Sequence, residues 1–475
     1  MASYINTNFA SLQAQNNLSA SQSKLQTSIA RLSSGLRINS AADDAAGLAI
    51  SDRMTSQING LQQAGRNAND GISLAQTADG ALASVSSDLQ RIRQLAVQSA
   101  NSTNSSSDRA SLNQESTQLL SEISRVASTT QFNGLNLLDG SFTGQQFQVG
   151  ANANQTINVN LNGATTTSLG SYGGTGTAGV VATSAAFSST STIAINGTTI
   201  GATSSSNPSG NASLGLSASS AYAKAQAINA QSSTTGVTAQ ATTTVTGAAA
   251  AAGALNAGDI TINGISVGSV AAGSNAVSQG QNVAAAINAV SASSGVTATA
   301  DNTTGILKLT ATDGRDIVVA TPGANGATNS GLTAGSTAGT LALSSASGFS
   351  LTATGSAQAD SGLTGFTESL SSLSSVDLTS AANANKALGI VDAAISQIDS
   401  QRAVLGATSN RFQATVSNLQ STSANLSSAR SRIQDTDFAA ETANLSQAQI
   451  LQQAGTAMLT QANSLPNSVL TLLKG

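Results

Sequence analysis

A chain of 475 residues with 40% hydrophobic content is long enough for about three domains and apolar enough to bury cores. It contains no His and no Cys, which removes the commonest general base, the thiolate nucleophile and the soft metal ligands, so neither an enzyme nor a cofactor is expected. Charged residues make up 8%, the net charge is -4, and the 18 Lys and Arg form no dense run, which argues against a nucleic-acid groove.

The start, Met1 to Phe9, has neither a basic segment nor an apolar one, and the first cation is Lys24. No cleaved secretory signal is expected. No apolar run reaches the roughly 18 residues needed to span a bilayer, so no membrane anchor is expected either. Leu18, Leu25, Ile29, Leu32 and Leu36 share one helical face, and Ser40 to Asp44 interrupts it. Asp43 and Asp44 are adjacent and cannot face each other on a helix, so they read as charges at a helix N-terminus and not as a paired-carboxylate site. Ala78, Leu82, Val85, Leu89, Ile92 and Ala96 then step by four and three, as do Leu112, Leu119, Ile123 and Val126. The polar run Asn101 to Asp108 between them reads as the turn of a helical hairpin with Asp108 as N-cap. Arg91 and Arg93 read as a solvated helix face.

Between residues 150 and 375 the composition changes: this stretch holds 30 of the 44 Gly but 3 of the 18 basic residues. Gly174 to Gly179 satisfies a dinucleotide-binding pattern, but no apolar strand precedes it, no helix follows, and the next acid is Asp259. It reads as a linker. Asn-x-Ser/Thr triplets at Asn101 and Asn196 are expected by chance in so Asn- and Ser-rich a chain. An internal repeat aligns Ile195-Asn196-Gly197 with Ile262-Asn263-Gly264, Ala227-Ile228-Asn229-Ala230 with Ala286-Ile287-Asn288-Ala289, and Gly236-Val237-Thr238-Ala239 with Gly295-Val296-Thr297-Ala298. Each copy predicts strand, Asn-Gly turn, strand, short helix, strand.

Past residue 375 a heptad series runs through Val391, Ile398, Leu405, Phe412, Leu419, Leu426 and Ile433. Ile395 and Val416 are apolar at the intermediate positions, but Arg402, Ser409, Ser423 and Arg430 are polar, which predicts packing in a bundle and not an isolated dimer. Asp435 to Asp437 interrupts this series, and Leu451, Met458, Leu465 and Leu472 continue beyond it. Helices this long need partners along their length, and each end of the chain supplies them for the other. The expected fold is therefore mainly α at the ends with a β-rich middle. N- and C-terminal helices pair as a coiled coil and a helical bundle, with outer α+β or β modules inserted between them. The expected divisions are 1–44 with 437–475 for the inner coiled coil, 45–175 with 376–436 for the bundle, and 176–245 and 246–375 for the two outer modules. An assembly seam is expected at Leu25, Leu32, Leu82, Leu89, Ile92, Val391, Ile398, Leu405, Phe412, Leu419, Leu426, Ile433, Leu451, Met458, Leu465 and Leu472.

Residues 31 to 54, Arg-Leu-Ser-Ser-Gly-Leu-Arg-Ile-Asn-Ser-Ala-Ala-Asp-Asp-Ala-Ala-Gly-Leu-Ala-Ile-Ser-Asp-Arg-Met, closely resemble the N-terminal signature of the bacterial flagellin family. Thr130-Gln131-Phe132-Asn133-Gly134 is similar to a second hallmark, and 447–456 and 465–470 are similar to the C-terminal signature. The resemblance implies a self-polymerising filament subunit outside the cell, with the terminal coiled coil lining the filament core and the middle facing solvent. It further implies type III export guided by an uncleaved N-terminal segment, an export chaperone on the C-terminal helix, and filament cap and hook-junction proteins as partners. In family members that host Toll-like receptors detect, residues matching Arg91, Leu95 and Glu115 form the contact, whereas Gln94 departs from the Glu common there. Two other readings compete: the hook-filament junction protein, and a secreted adhesin or hydrolase carried on flagellin-like ends.

Overall fold

The computed structural model describes residues 7–175, 186–188, 192–204, 215–353, 363 and 368–474, with the side chains of 465–474 outside the description. In chain order these form α1 (Phe9–Ser34), α2 (Ala45–Ala100), α3 (Ser106–Thr129), β1 (Gln131–Phe132), β2 (Leu135–Asn136), β3 (Gln145–Gln148), β4 (Thr156–Val159), β5 (Gly170–Thr175), β6 (Ile193–Ile195), β7 (Thr198–Thr199), α4 (Ala221–Asn229), α5 (Ser232–Thr235), β8 (Val237–Ala249), β9 (Thr261–Ile262) and β10 (Ile265–Ser266). There follow α6 (Ala276–Ala289), α7 (Ser291–Ser294), β11 (Thr297–Ala300), β12 (Ile306–Ala311), β13 (Ile317–Ala320), α8 (Gly326–Ser330), β14 (Gly335–Thr337), β15 (Thr340–Ser345), β16 (Leu351–Ala353), β17 (Ser369–Ser372), α9 (Ala381–Gln434) and α10 (Phe438–Lys474). The chain groups into two compact units, residues 1–76 with 144–160 and 405–475, and residues 77–143 with 161–404.

In the first unit α1 packs along α10, and the leading part of α2 shares a core with the hairpin β3-β4 and the later part of α9. Phe412 is fully buried there and meets Phe147 edge to face at 5.6 Å and 79°. Gly71 makes room for it, since a Cβ at that position would lie 2.7 Å from Phe412 Cζ. The breaks between helices have local chemical causes. Gly35 ends α1 in the left-handed conformation at φ +73, its N–H donating to Arg31 O at 2.8 Å. Asp44 caps α2 by accepting from Gly47 N–H at 2.8 Å, and Asp437 caps α10 by accepting from Ala439 and Ala440 N–H. Asp43 accepts from the Ser40 and Asn39 backbone N–H groups and the Ser40 hydroxyl. Those bonds, Ser40 first, hold its carboxyl below the usual range.

In the second unit the α2-α3 turn is closed by Arg109, whose guanidinium donates to the carbonyls of Ser99, Asn101 and Asn104 at 2.7–2.8 Å. The N-cap of α3 is Ser105 and not Asp108. Asp108 sits three residues further on and completes a capping box, accepting from Ser105 N–H while Ser105 Oγ accepts from Asp108 N–H.

The middle is an antiparallel system built around β8. Its residues 237–242 pair with β15 and 243–249 with β12, giving the strand order β11-β12-β8-β15-β5-β17. Gly174 and Thr175 lie in β5 paired with β15, so the start of the glycine-rich motif is sheet and not linker; Gly176 to Gly179 fall outside the described residues. Both copies of the repeat adopt the expected order of elements. In each, the helix-ending Asn clamps the returning strand: Asn229 donates to Ala239 O and accepts from Ala239 N–H at 2.8 and 2.7 Å, and Asn288 does the same to Ala298 at 2.8 and 2.7 Å. One core holds Ile193, Ile195, Ile228, Val237, Leu341 and Leu343, and another holds Ile262, Val283, Ile287, Leu307, Leu309 and Val319. β15 and β16, from residue 340 onward, return to pair with β8 and β6, the strands of the first copy.

Candidate assembly interface

α1 and α10 meet along two heptad stripes in which Leu is interspersed with small residues. On α1 the inward positions are Ser11, Ala14, Leu18, Ser21, Leu25, Ser28 and Leu32; on α10 they are Glu441, Leu445, Ala448, Gln452, Gly455, Leu459 and Ala462. Each series steps by three and four, so the seams are coiled-coil in spacing although poor in large apolar residues. Gly455 shows how close the backbones come: a Cβ there would sit 3.2 Å from Leu18 Cδ1. At one end Asn8 Nδ2 donates to Ala462 O at 2.8 Å and Ser11 Oγ to Asn463 Oδ1 at 2.7 Å. At the other, Arg37 N–H donates to Gln434 O at 2.7 Å, Thr436 N–H to Gly35 O at 3.0 Å, and Arg37 Nη2 to Ile433 O at 2.6 Å.

Leu25 and Leu32 of the expected seam lie half-buried on the inward stripe of α1. Leu451 and Met458 lie off that of α10, at 44% and 64% exposed, and Leu451 borders an open groove with Lys24, Thr27 and Ser28 of α1. Ile450 and Phe438 on α10, and Phe9, Leu12 and Ile29 on α1, are exposed as well. The side chains of Leu465 and Leu472 lie outside the described residues. The pair thus joins along Leu interspersed with small residues and leaves other large apolar side chains uncovered. Single apolar residues scattered on a surface need no explanation, whereas contiguous apolar patches mark interaction sites.

Leu82, Leu89 and Ile92 on α2 and Val391, Ile398, Leu405 and Phe412 on α9 are buried at 2% exposure or less. Leu419, Leu426 and Ile433 are only half-buried, and Leu61, Val416 and Leu419 line an open groove of about 470 Å³. The heptad is one continuous pattern in sequence, but its burial falls off past Phe412.

Arg91 and Glu115 are exposed and paired at 2.7 Å, and two further surface pairs join Arg93 to Asp392 at 2.6 Å and Arg402 to Asp79 at 2.8 Å. Leu95, the third residue of the expected receptor contact, lies differently from Arg91 and Glu115. It is 1% exposed and packs with Ala96, Leu378, Ala384 and Ala387, because position 95 falls on the core stripe of α2 between the outward Arg91, Gln94 and Val97. The inward stripe of α10 escaped sequence reasoning because Gln452, Gly455 and Ala462 carry no hydrophobic signal; the three-four spacing of small residues opposite Leu18 and Leu25 was the available clue.

No helix among the described residues is long and apolar enough to cross a membrane. Residues 5–143 match the family described as the bacterial flagellin N-terminal helical region, and residues 388–473 match its C-terminal helical region. The B-type flagellin of Pseudomonas aeruginosa is 42% identical, with 100% of each chain covered. The flagellin of Salmonella rubislaw is 40% identical with 100% of each chain covered, and flagellin A of Vibrio cholerae 35% with 99% of each. Two helical ends matching the family's two regions, and relatives aligned from end to end across the middle, show that this chain belongs to the bacterial flagellin family.

Proposed function

We infer that this chain is a structural subunit of the extracellular bacterial flagellar filament, and that its work is polymerisation and not catalysis. The observation that carries the mechanism is the division of labour on the terminal helix pair: Leu interspersed with small residues joins α1 to α10, while Phe9, Leu12, Ile29, Ile450, Leu451 and Met458 stay uncovered. Burying such side chains against neighbouring copies stabilises each by about 1.5–3 kcal/mol when complete. A head-to-tail contact of this kind closes no ring and propagates as an open helix. The seam residues expected from sequence are assigned here to two tasks. Leu82, Leu89, Ile92 and Val391 to Phe412 hold the subunit together, whereas Leu451, Met458 and the half-buried Leu419, Leu426 and Ile433 meet other copies. An export chaperone on α10, cap and hook-junction proteins at the filament ends, and a host Toll-like receptor at Arg91 and Glu115 are further partners in this reading. The exposed charges of that last pair favour a polar contact without Leu95.

Two experiments test it. Leu451→Glu with Met458→Glu should leave the monomer folded, since both side chains already face water, yet lower the yield of sedimentable filaments at least tenfold, which corresponds to about 1.4 kcal/mol of association free energy. Filaments of wild-type yield from the double variant would overturn the assignment. Deleting residues 185–365 should leave assembly intact. β5 and β17, the nearest described strands on either side of the cut, pair directly, Gly173 opposite Ser369 and Gly170 opposite Ser372, so a short connection suffices and costs little closure entropy. Electron microscopy should show narrower filaments; an exported, stable deletion that never polymerises would mean that the outer modules belong to the assembly contact.

A further inference from the structure

The chain contains six Asn-Gly steps, at Asn59, Asn133, Asn162, Asn196, Asn263 and Asn325. Such steps are chemically weak because Gly offers no side chain to shield its backbone nitrogen, and the structure treats the six very differently. Three of them form two-residue hairpin turns of one conformation, with Asn and Gly both left-handed: φ 49 and 81 at Asn133-Gly134, 52 and 77 at Asn196-Gly197, 51 and 76 at Asn263-Gly264. The backbone therefore does not distinguish them. The side chains do. Asn196 donates to Thr235 O at 2.9 Å and accepts from Ser350 N–H at 2.9 Å, and Asn263 donates to Ser294 O at 3.0 Å and accepts from Val318 N–H at 2.8 Å. Among the described residues Asn133 has no side-chain hydrogen bond. It is exposed, a Cβ on Gly134 would meet nothing within 4 Å, and the flanking strands β1 and β2 have two residues each.

The remaining three steps are restrained in other ways. Asn59 lies within α2, where the Gly60 amide belongs to the helical ladder. At Asn325 the Gly326 N–H donates to Gly323 O at 3.0 Å, and Gly326 is packed against the Asp259 carbonyl. At Asn162 the backbone carbonyl accepts from Gln401 Nε2 at 3.0 Å, and Gly163 lies against Gly140.

We propose that Asn133 is the dominant site of spontaneous deamidation in this protein, a covalent modification site selected by the fold from six equivalent sequences. The Gly134 backbone nitrogen attacks Asn133 Cγ and gives up its proton, the Cγ–Nδ2 bond breaks, and ammonia leaves a five-membered succinimide. One water then opens the ring at either carbonyl, yielding aspartate or isoaspartate, so that the net change is water consumed and ammonia released. The product adds a negative charge at the hairpin tip. Isoaspartate also lengthens the main chain by one methylene in a turn of two residues, whose closure onto Thr130 O through the Leu137 N–H at 3.0 Å precedes the buried Leu137 and Leu138.

The full-length folded protein is incubated in mildly alkaline buffer, and deamidation at each Asn-Gly step is followed by peptide mass spectrometry. Because the ring must form from a locally opened state, and opening Asn196 or Asn263 breaks two additional hydrogen bonds, Asn133 should react on the order of tenfold faster than either. Asn162 should come second. In denaturant the six rates should converge, which separates the contribution of the fold from that of flanking residues. Equal rates at Asn133 and Asn196 in the folded protein, or an Asn133 that stays fastest by the same factor when unfolded, would overturn the proposal.

Discussion

Phe412→Ala should cost about 3–5 kcal/mol of folding stability, a large fraction of the roughly 5–15 kcal/mol that an ordinary domain has to lose. Phe412 is fully buried, its ring meets Phe147 at 5.6 Å, and its edge occupies the space that Gly71 leaves open. Removing the ring thus forfeits burial, an aromatic pair worth about 0.5–1.5 kcal/mol, and the packing of a helix face that cannot collapse onto the gap without moving α2. The reciprocal change makes the same point from the other side. Gly71→Ala sets a methyl 2.7–3.0 Å from three ring atoms, an overpacking of about 1–3 kcal/mol. In the double variant Gly71→Ala with Phe412→Leu the two costs should not add, because the smaller side chain relieves the clash. Thermal and denaturant unfolding of the monomer measure all three. A Phe412→Ala midpoint within error of wild type would mean that this aromatic contact contributes nothing to the core.

How much of this was visible in the chain depends on which residues carry the packing. Val391, Ile398, Leu405 and Phe412 are large, apolar and seven apart, so both their helix and its buried face could be read directly. The repeated Ile-Asn-Gly and Ala-Ile-Asn-Ala segments likewise announced two modules of one build, since Asn229 and Asn288 make identical clamps. The α1 half of the α1–α10 seam was legible at Leu18, Leu25 and Leu32, but the α10 half was hidden because Ala448, Gln452, Gly455 and Ala462 leave little mark on hydrophobicity. Leu451 and Met458, expected on the assembly seam, lie off the stripe that faces α1 and are exposed. The pairing of β8 with β15 was also illegible, since an antiparallel partner roughly a hundred residues away is chosen by tertiary packing and not by any local pattern. Asp108 was displaced from the N-cap for a local reason: Ser105 one turn earlier has the side chain that reaches the free N–H groups, and the acid serves it from N3.

Removing residues 451–475 should abolish polymerisation while leaving the second compact unit folded. The truncation takes away Gln452, Gly455, Leu459 and Ala462, the half of the α10 stripe that faces the start of α1, together with the acceptors of the Asn8 and Ser11 hydrogen bonds. What remains of α10 is too short to hold α1 along its length. Most of a helix's stability in a protein comes from the packing of one face, so the first part of α1, stripped of its partner, should fray. The same cut removes Leu451 and Met458, hence part of the outward apolar face, and neither loss can be offset by the other end of the chain. The buried residues of the second unit, among them Leu82, Leu89, Ile92, Val391 and Ile398, lie outside the deleted segment. Circular dichroism should therefore show a loss of helix confined to the ends, with the main unfolding transition in place, and ultracentrifugation should show monomer at concentrations where the intact chain sediments as filament. Filaments of ordinary length from the truncated chain would mean that the terminal helix pair is dispensable for assembly.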